Sequence, residues 1–201
     1  PDSRRVASQL LKHTGTPWAR QAIDGILIRA ALDELIAGRK PKFASKLDDA
    51  NSHVIELALS SGAEGVWSYL HGVGLVGEAG KPLNSVNSSF INCNPSPDCA
   101  RFCYATRGKY PTLYPMLKSE LTNWAVENDP ARAASLIVSD YTATVEFLHE
   151  KALRLFDKGD GSDAWLPVIK AINDQGVRVQ IFSKNPKFLR QVPEVNVRVL
   201  S

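Results

Sequence analysis

Apolar residues recur at helical spacing in the first part of the chain. Residues 3–13 form a short amphipathic segment, and segments 45–60 and 63–70 also have helical character. Between them, Thr16 and Pro17 have the residue types of an N-cap and a first helical position. The apolar set that follows keeps helical period: Ile23, Ile26, Leu27, Ala30, Leu32 and Ile36. We therefore predict that residues 1–72 form a helical extension or cap, which could bind a protein partner.

The pattern is lost over residues 73–91, where Gly, Ser and Asn are frequent, and this stretch is predicted to be a linker loop. The GVGLVG run at its start has the spacing of a dinucleotide-binding fingerprint. A predicted helix precedes that run where the fingerprint requires a strand, so the loop is interpreted as a linker only.

The last part of the chain alternates strands with helices. After two predicted helices in residues 112–148, strand patterns occur at 153–156, 177–183 and 195–200, with helical patterns between them. Such alternation is typical of parallel sheets with crossover helices. The predicted fold class is α/β, with a helical N-terminal region followed by a partial parallel βα barrel or a layered sheet. Residues 92–201 form the predicted metal-loop and βα-repeat domain, whose functional groups should follow the strands, at 157–161 and 183–185.

Composition changes this picture little. The chain has 201 residues, 44% of them hydrophobic and 22% charged, which is typical of a soluble globular protein. Its formal charge of +3 permits contact with nucleic acid without requiring it. No apolar run approaches the roughly 18 residues of a transmembrane helix, and no signal-peptide pattern is seen, so we predict a cytoplasmic protein with no membrane partner.

The strongest chemical signal is the stretch NCNPSPDCARFCYATRGK. It contains all three cysteines of the chain, Cys93, Cys99 and Cys103, within eleven residues. A disulfide framework would spread an even number of cysteines along the chain. An odd, clustered set in a proline-containing loop instead indicates thiolate ligands of one metal centre.

Two metal centres fit this pattern. Zinc in a structural site takes four protein ligands, so a distant histidine would have to join the three thiolates. The candidates are His13, His53, His71 and His149, of which His71 is nearest in sequence. A four-iron cluster held by three thiolates instead leaves one iron open to a cofactor or substrate. We favour the cluster; the alternative is a non-catalytic, zinc-stabilised interaction module of a mobile-element protein.

Three stretches carry a resemblance to a known family: CNPSPDCARFCYATRGKY, LRLFDKGDG and VRVQIFSKNPKFL. Over residues 90–201 the chain resembles the phage- and plasmid-borne gene product 88 family, divergent relatives of the radical S-adenosylmethionine enzymes. The resemblance implies a [4Fe-4S] cluster on the three cysteines and S-adenosyl-L-methionine chelated to the fourth iron. It also implies reductive cleavage of that cofactor and radical chemistry on an unidentified substrate, for which a nucleic acid or its precursor is a candidate.

The same resemblance implies roles for residues around the cluster. Phe102 has the place of the hydrophobic residue beside the adenine, and Gly159 and Asp160 would lie near the methionine end of the cofactor. Tyr104, beside the metal loop, and Lys184, at a strand end, are further candidates for contact with cofactor or substrate. The alternative for Tyr104 is a solvated, partly packed loop-to-helix junction, and the alternative for Lys184 is an ordinary surface lysine. The four tryptophans, Trp18, Trp67, Trp124 and Trp165, are predicted to be core or interface residues.

Overall fold

The computed structural model describes residues 3–39, 61–77, 85–108, 112–148 and 152–200. The helices of these ranges are α1 (Ser3–Lys12), α2 (Pro17–Ile36), α3 (Gly62–Val73), α4 (Pro97–Phe102), α5 (Leu113–Asn128), α6 (Pro130–Leu148), α7 (Trp165–Asp174) and α8 (Pro186–Gln191). The strands are β1 (Ser85–Val86), β2 (Leu153–Leu155), β3 (Val179–Ser183) and β4 (Val197–Leu200). Two short 3₁₀ turns, Phe90–Asn92 and Tyr104–Thr106, flank α4.

The N-terminal helices follow the predicted signals. The Thr16 side chain accepts a hydrogen bond from the Ala19 amide at 3.2 Å, which satisfies one of the free amides at the start of α2. Pro17 occupies the first helical position, where its missing N–H costs nothing. The helix predicted at 45–60 lies outside the described residues.

The strands form one parallel sheet in the order β1-β2-β3-β4, which confirms the α/β class. β1 was not predicted, because Ser85 and Val86 lie in the stretch assigned to the linker. A two-residue strand is too short to show alternation. It exists because Ser85 pairs with Arg154 and Val86 with Leu155, contacts that no local pattern contains.

The two faces of the sheet differ. Leu153, Leu155, Val179 and Ile181 alternate onto one face and are fully or nearly fully buried in the main hydrophobic core. That core also takes in residues of α2, α3, α5, α6 and α7, so the N-terminal helices and the sheet share it. The residues between those four, Arg154 and Gln180, pair across the sheet on the opposite face and are only half-buried.

A smaller apolar cluster joins α2 to the cysteine segment. Trp18, Ala19 and Ala22 of α2 pack with Phe90, Ala100 and Ala105, and Cys93 and Cys103 lie against the cluster. The N-terminal part of the chain therefore reaches the cysteines directly. Within the described ranges no helix is both long and apolar enough to cross a membrane.

Candidate functional site

The three cysteines line one cavity of about 280 Å³, together with residues that follow β2 and β3. Among the residues singled out from the sequence, Tyr104, Gly159 and Lys184 line it as well. The remaining lining residues are Trp18, Phe90, Ala105, Arg154, Phe156, Asp157, Lys158, Phe182 and Ser183. The cavity thus brings together two stretches that lie more than fifty residues apart in the sequence, the cysteine segment and the ends of the strands.

Local hydrogen bonds shape the cysteine segment. Ser96 is the N-cap of α4 and accepts from the Cys99 amide at 3.2 Å, with Pro97 at the first helical position. Cys103 follows the last residue of α4, and its carbonyl accepts from the Thr106 hydroxyl at 2.7 Å. The SPDCARFC sequence therefore places one cysteine on a short helix and another just beyond its end.

Helix α1 holds the segment from the other side. The Arg5 guanidinium donates to the Cys93 carbonyl at 3.1 Å and to the Ile91 carbonyl at 2.8 Å. The Gln9 amide donates to the Asn94 side chain at 2.7 Å. These bonds fix the chain around Cys93.

The thiols are half-buried and free of disulfides. Burial raises the pKa of Cys93 far above its ordinary value, and the neighbouring Asp160 carboxyl adds to this effect. Burial also raises the pKa of Cys103. The Lys184 ammonium opposes both shifts by favouring the thiolates.

The turn after β2 packs tightly against the segment that leads to the cysteines. Gly159 has a φ of +80°, and a Cβ added there would lie 2.3 Å from the Ser88 carbonyl oxygen. The Ser88 amide donates to the Lys158 carbonyl at 3.1 Å, and the Lys158 amide donates to Asn87 Oδ1 at 2.7 Å. Glycine at position 159 is therefore required both by its backbone conformation and by the space available.

Asp160 links the ends of β2 and β3. Its carboxylate accepts from the Ser183 hydroxyl, from the Gly161 amide at 2.9 Å and from the Lys184 amide at 3.3 Å. Burial raises the pKa of Asp160, and the hydrogen bond from Ser183 opposes that rise. Asp160 does not itself line the cavity. Its bonds instead position Ser183 and Lys184, which do.

Two cavity residues, Arg154 and Phe182, were not predicted, whereas Asp157 lies in the strand-end range 157–161 in which functional groups were expected. Arg154 Nε lies 2.5 Å from Asp157 Oδ1, and the guanidinium carbon lies 4.0 Å from the centre of the Phe182 ring. The Asp157 side chain is 1% exposed, and apart from this ion pair its oxygens have no hydrogen-bond partner in the described ranges. An arginine inside an apolar strand, followed by an aspartate, is the signal that could have identified this pair.

The backbone at the end of β2 is also unusual. Phe156 has a φ of +70°, a conformation that residues other than glycine rarely adopt. Its ring packs edge-on against Trp165, with ring centres 4.9 Å apart, and lies 6.0 Å from the Phe188 ring. This packing retains a strained conformation at the cavity wall, where such outliers are often functional.

Two aromatic residues next to the cysteines differ in position. Tyr104 is half-exposed and lines the cavity. Phe102 is 62% exposed, contacts the Arg101 guanidinium and does not line the cavity. Its predicted place beside an adenine stays a prediction.

Neither of the two histidines in the described ranges, His13 and His71, lines the cysteine cavity. His71 lines a different cavity, between α3 and α6, and is not among the residues of the cysteine cavity. His13 is buried against Trp18, with ring centres 5.8 Å apart, and His53 and His149 lie outside the described residues. In the part of the chain that the structure describes, no three His, Cys, Asp or Glu side chains are grouped so as to hold one metal ion.

A buried polar network underlies the cysteine segment. The Ser89 hydroxyl donates to Glu120 on α5, and Asn92 donates to the Ser88 hydroxyl at 2.7 Å and to Asn123 at 3.3 Å. Burial raises the pKa of Glu120 to about 7, against the opposing effects of Ser89, Arg29 and Lys158. The approach to the cysteines therefore rests on groups that sequence reasoning did not single out.

Comparison with family models, with curated proteins and with solved structures gives no match for this chain.

Proposed function

We propose that Cys93, Cys99 and Cys103 bind a four-iron cluster and that the open iron takes S-adenosyl-L-methionine as a second ligand. The observation that carries this proposal is the single cavity lined by all three cysteines and by the ends of two parallel strands. Ligand sites of α/β proteins occur at the carboxyl ends of parallel strands. A cysteine set brought to that edge is therefore suited to act on a molecule bound there.

The residues of the cavity fit the cluster by their chemistry. Three thiols supply three thiolate ligands, and one iron of the cluster remains available to an exogenous group. Once bound, the cluster supplies one-electron reduction of the ligand on its open iron. The chain's own residues bind and orient that ligand, and the apolar walls formed by Trp18, Phe90 and Phe156 keep water from the thiolates.

The strand ends supply groups of both charges for the ligand. Lys184 and Arg154 can receive a carboxylate, and Asp157 has oxygens that can accept from an ammonium or amide group. Asp160 acts as a positioning residue because it accepts hydrogen bonds from Ser183 and the Lys184 amide. A zwitterionic amino-acid moiety, such as the methionine end of the cofactor, matches this arrangement.

The resemblance in sequence supports the same proposal. The Gly159-Asp160 pair follows β2, as in the gene product 88 family and its radical S-adenosylmethionine relatives, and four parallel βα-linked strands are compatible with part of a barrel. The substrate would lie on the half-exposed face of the sheet beside the cavity, near Gln180 and Phe182. The net positive charge suits a nucleic acid or nucleotide there.

The proposal is tested by cofactor binding to protein purified without oxygen and reconstituted with iron and sulfide. After reduction with dithionite, the electron paramagnetic resonance signal of the cluster should change when S-adenosyl-L-methionine is added, because the cofactor coordinates the open iron. Lys184→Gln should weaken that response. Lys170→Gln should not, because Lys170 is an exposed residue paired with Asp174.

An unchanged signal at saturating cofactor would contradict the cofactor part of the proposal. A protein that contains zinc and no sulfide would contradict all of it and favour the structural metal module.

A further inference from the structure

Trp18 is the residue by which the N-terminal helices reach the cysteine cavity. It lies in the first turn of α2, is 1% exposed and lines the cavity. Its ring belongs to the apolar cluster with Phe90 and Ala105, against which Cys93 and Cys103 pack. Trp18 therefore shares one cavity with the three proposed cluster ligands, and two of them pack against its apolar cluster.

The indole N–H of Trp18 has no hydrogen-bond partner among the residues that the structure describes. The His13 ring packs edge-on against the indole at 83°, but no hydrogen bond joins the two, and His13 Nε2 is itself unpaired in the described ranges. A buried tryptophan usually finds a partner for its N–H, and leaving a buried donor unpaired costs about 1–3 kcal/mol. An acceptor supplied by the contents of the cavity would remove that cost.

We infer that Trp18 donates its indole N–H to a sulfur of the cluster and thereby raises the cluster's reduction potential. This inference rests on the proposed function, since it requires the cluster at Cys93, Cys99 and Cys103. Cluster sulfides and cysteine thiolates are acceptors that carry negative charge, and one electron added on reduction makes them stronger acceptors. Hydrogen bonds to sulfur are among the factors that set the potentials of iron–sulfur clusters.

The inference assigns a function to the N-terminal helical region. Helix α1 fixes the backbone at Cys93 through Arg5, and α2 supplies the hydrogen-bond donor through Trp18. The region is then part of the metal site.

The test compares two buried tryptophans. Trp18→Phe removes the N–H and keeps an aromatic ring, and it should lower the equilibrium constant for reduction by dithionite about tenfold, which is about 59 mV for one electron. The matched control is Trp124→Phe. Trp124 is 5% exposed and packs against Trp67, with ring centres 5.5 Å apart, and it does not line the cavity. The control should leave the potential unchanged.

The potential is read by optical titration of the reconstituted protein under anaerobic conditions, alongside iron and sulfide content. Equal potentials in the wild type and Trp18→Phe, with the cluster intact in both, would overturn the inference and leave the proposed function standing. A wild-type protein without iron and sulfide would overturn both.

A second measurement serves if Trp18→Phe fails to fold. Wild-type protein labelled with ¹⁵N in its indole rings is reduced, and hyperfine coupling between the cluster spin and nitrogen is measured by pulsed electron paramagnetic resonance. Coupling to an indole nitrogen is expected at hydrogen-bond distance. Absence of any such coupling would overturn the inference without any substitution.

Discussion

Two cavities of the molecule differ in how far their charged side chains are exposed to solvent. In the cavity between α3 and α6, Arg132 pairs with Glu64 through two hydrogen bonds of 2.9 and 3.1 Å and lies 4.6 Å from the centre of the Trp67 ring. Both charged side chains are largely exposed. In the cysteine cavity, Asp157 is buried and pairs with Arg154, and the buried Trp18 N–H lacks a hydrogen-bond partner in the described ranges.

The difference distinguishes a surface groove from a candidate binding site. An exposed ion pair such as Arg132–Glu64 gives a ligand little binding free energy, because the two charges are already paired with each other and solvated by water. A cavity with a buried carboxylate and an unsatisfied indole N–H is costly to the protein alone, and that cost falls when a ligand supplies further partners.

Replacing a glycine beside each cavity with alanine should change the stability of the protein in opposite directions. Gly159→Ala should destabilise the protein by about 4 kcal/mol, through backbone strain and overlap with the Ser88 carbonyl. Gly72→Ala, beside the other cavity, meets nothing within 4 Å and lies in helix α3, so it should stabilise by roughly 0.5–1 kcal/mol. Urea denaturation of both variants measures these effects. Similar values for the two would contradict the tight packing described at Gly159.

Glu120, beneath the cysteine segment, should give a pH-dependent stability. Its pKa is raised to about 7 in the folded protein, so the folded state holds a proton that the unfolded state releases between pH 4.5 and about 7. Stability from this group is therefore present at low pH and is lost as pH rises through that window, by about 3 kcal/mol. Urea denaturation across the window should show that loss for the wild type relative to Glu120→Gln, whose amide oxygen can still accept from Ser89.

The Glu120→Gln variant is its own control, because it shares every other ionisable group with the wild type and so differs only in the titration of Glu120. The free-energy difference between the two proteins should level off above the raised pKa. A difference that stays constant from acid to neutral pH would show that Glu120 has an ordinary pKa.

The two ion pairs should differ in their contribution to stability. Asp157→Asn removes the charge from a buried carboxylate and leaves Arg154 uncompensated at the cavity wall, which should cost about 2 kcal/mol. Glu64→Gln acts on an exposed pair and should change unfolding stability little, although Arg132 lowers the pKa of Glu64. Thermal denaturation distinguishes the two. An equal loss in both variants would remove the distinction between the cavities.

The sequence predicted the elements whose pattern is local. Thr16 and Pro17 mark the start of α2, and the alternation over Val179–Ser183 marks β3, because caps and side-chain periodicity are written into neighbouring residues. Strand β1 was missed because two residues show no period, and its existence depends on pairing with β2.

For the site, too, the sequence revealed only what neighbouring residues show. Clustering identified the three cysteines as a group, and the structure places them on one cavity. Trp18 was interpreted as a core residue, which its burial supports, but its place beside the cysteines depends on the packing of α2. His71, the nearest histidine in sequence, lies in the other cavity, since distance along the chain does not determine which side chains converge in the fold.

The most direct test of the cysteine assignment is the metal content of protein purified without oxygen, with its visible absorbance spectrum. With a four-iron cluster bound, we expect iron and sulfide in equal amounts, about four of each per chain, and a broad visible absorbance band. This content should be lost in Cys99→Ala and retained in His71→Ala, because Cys99 lines the proposed site and His71 lines the other cavity. The cluster assignment would be contradicted if the wild type contained stoichiometric zinc without sulfide and both variants lost that zinc.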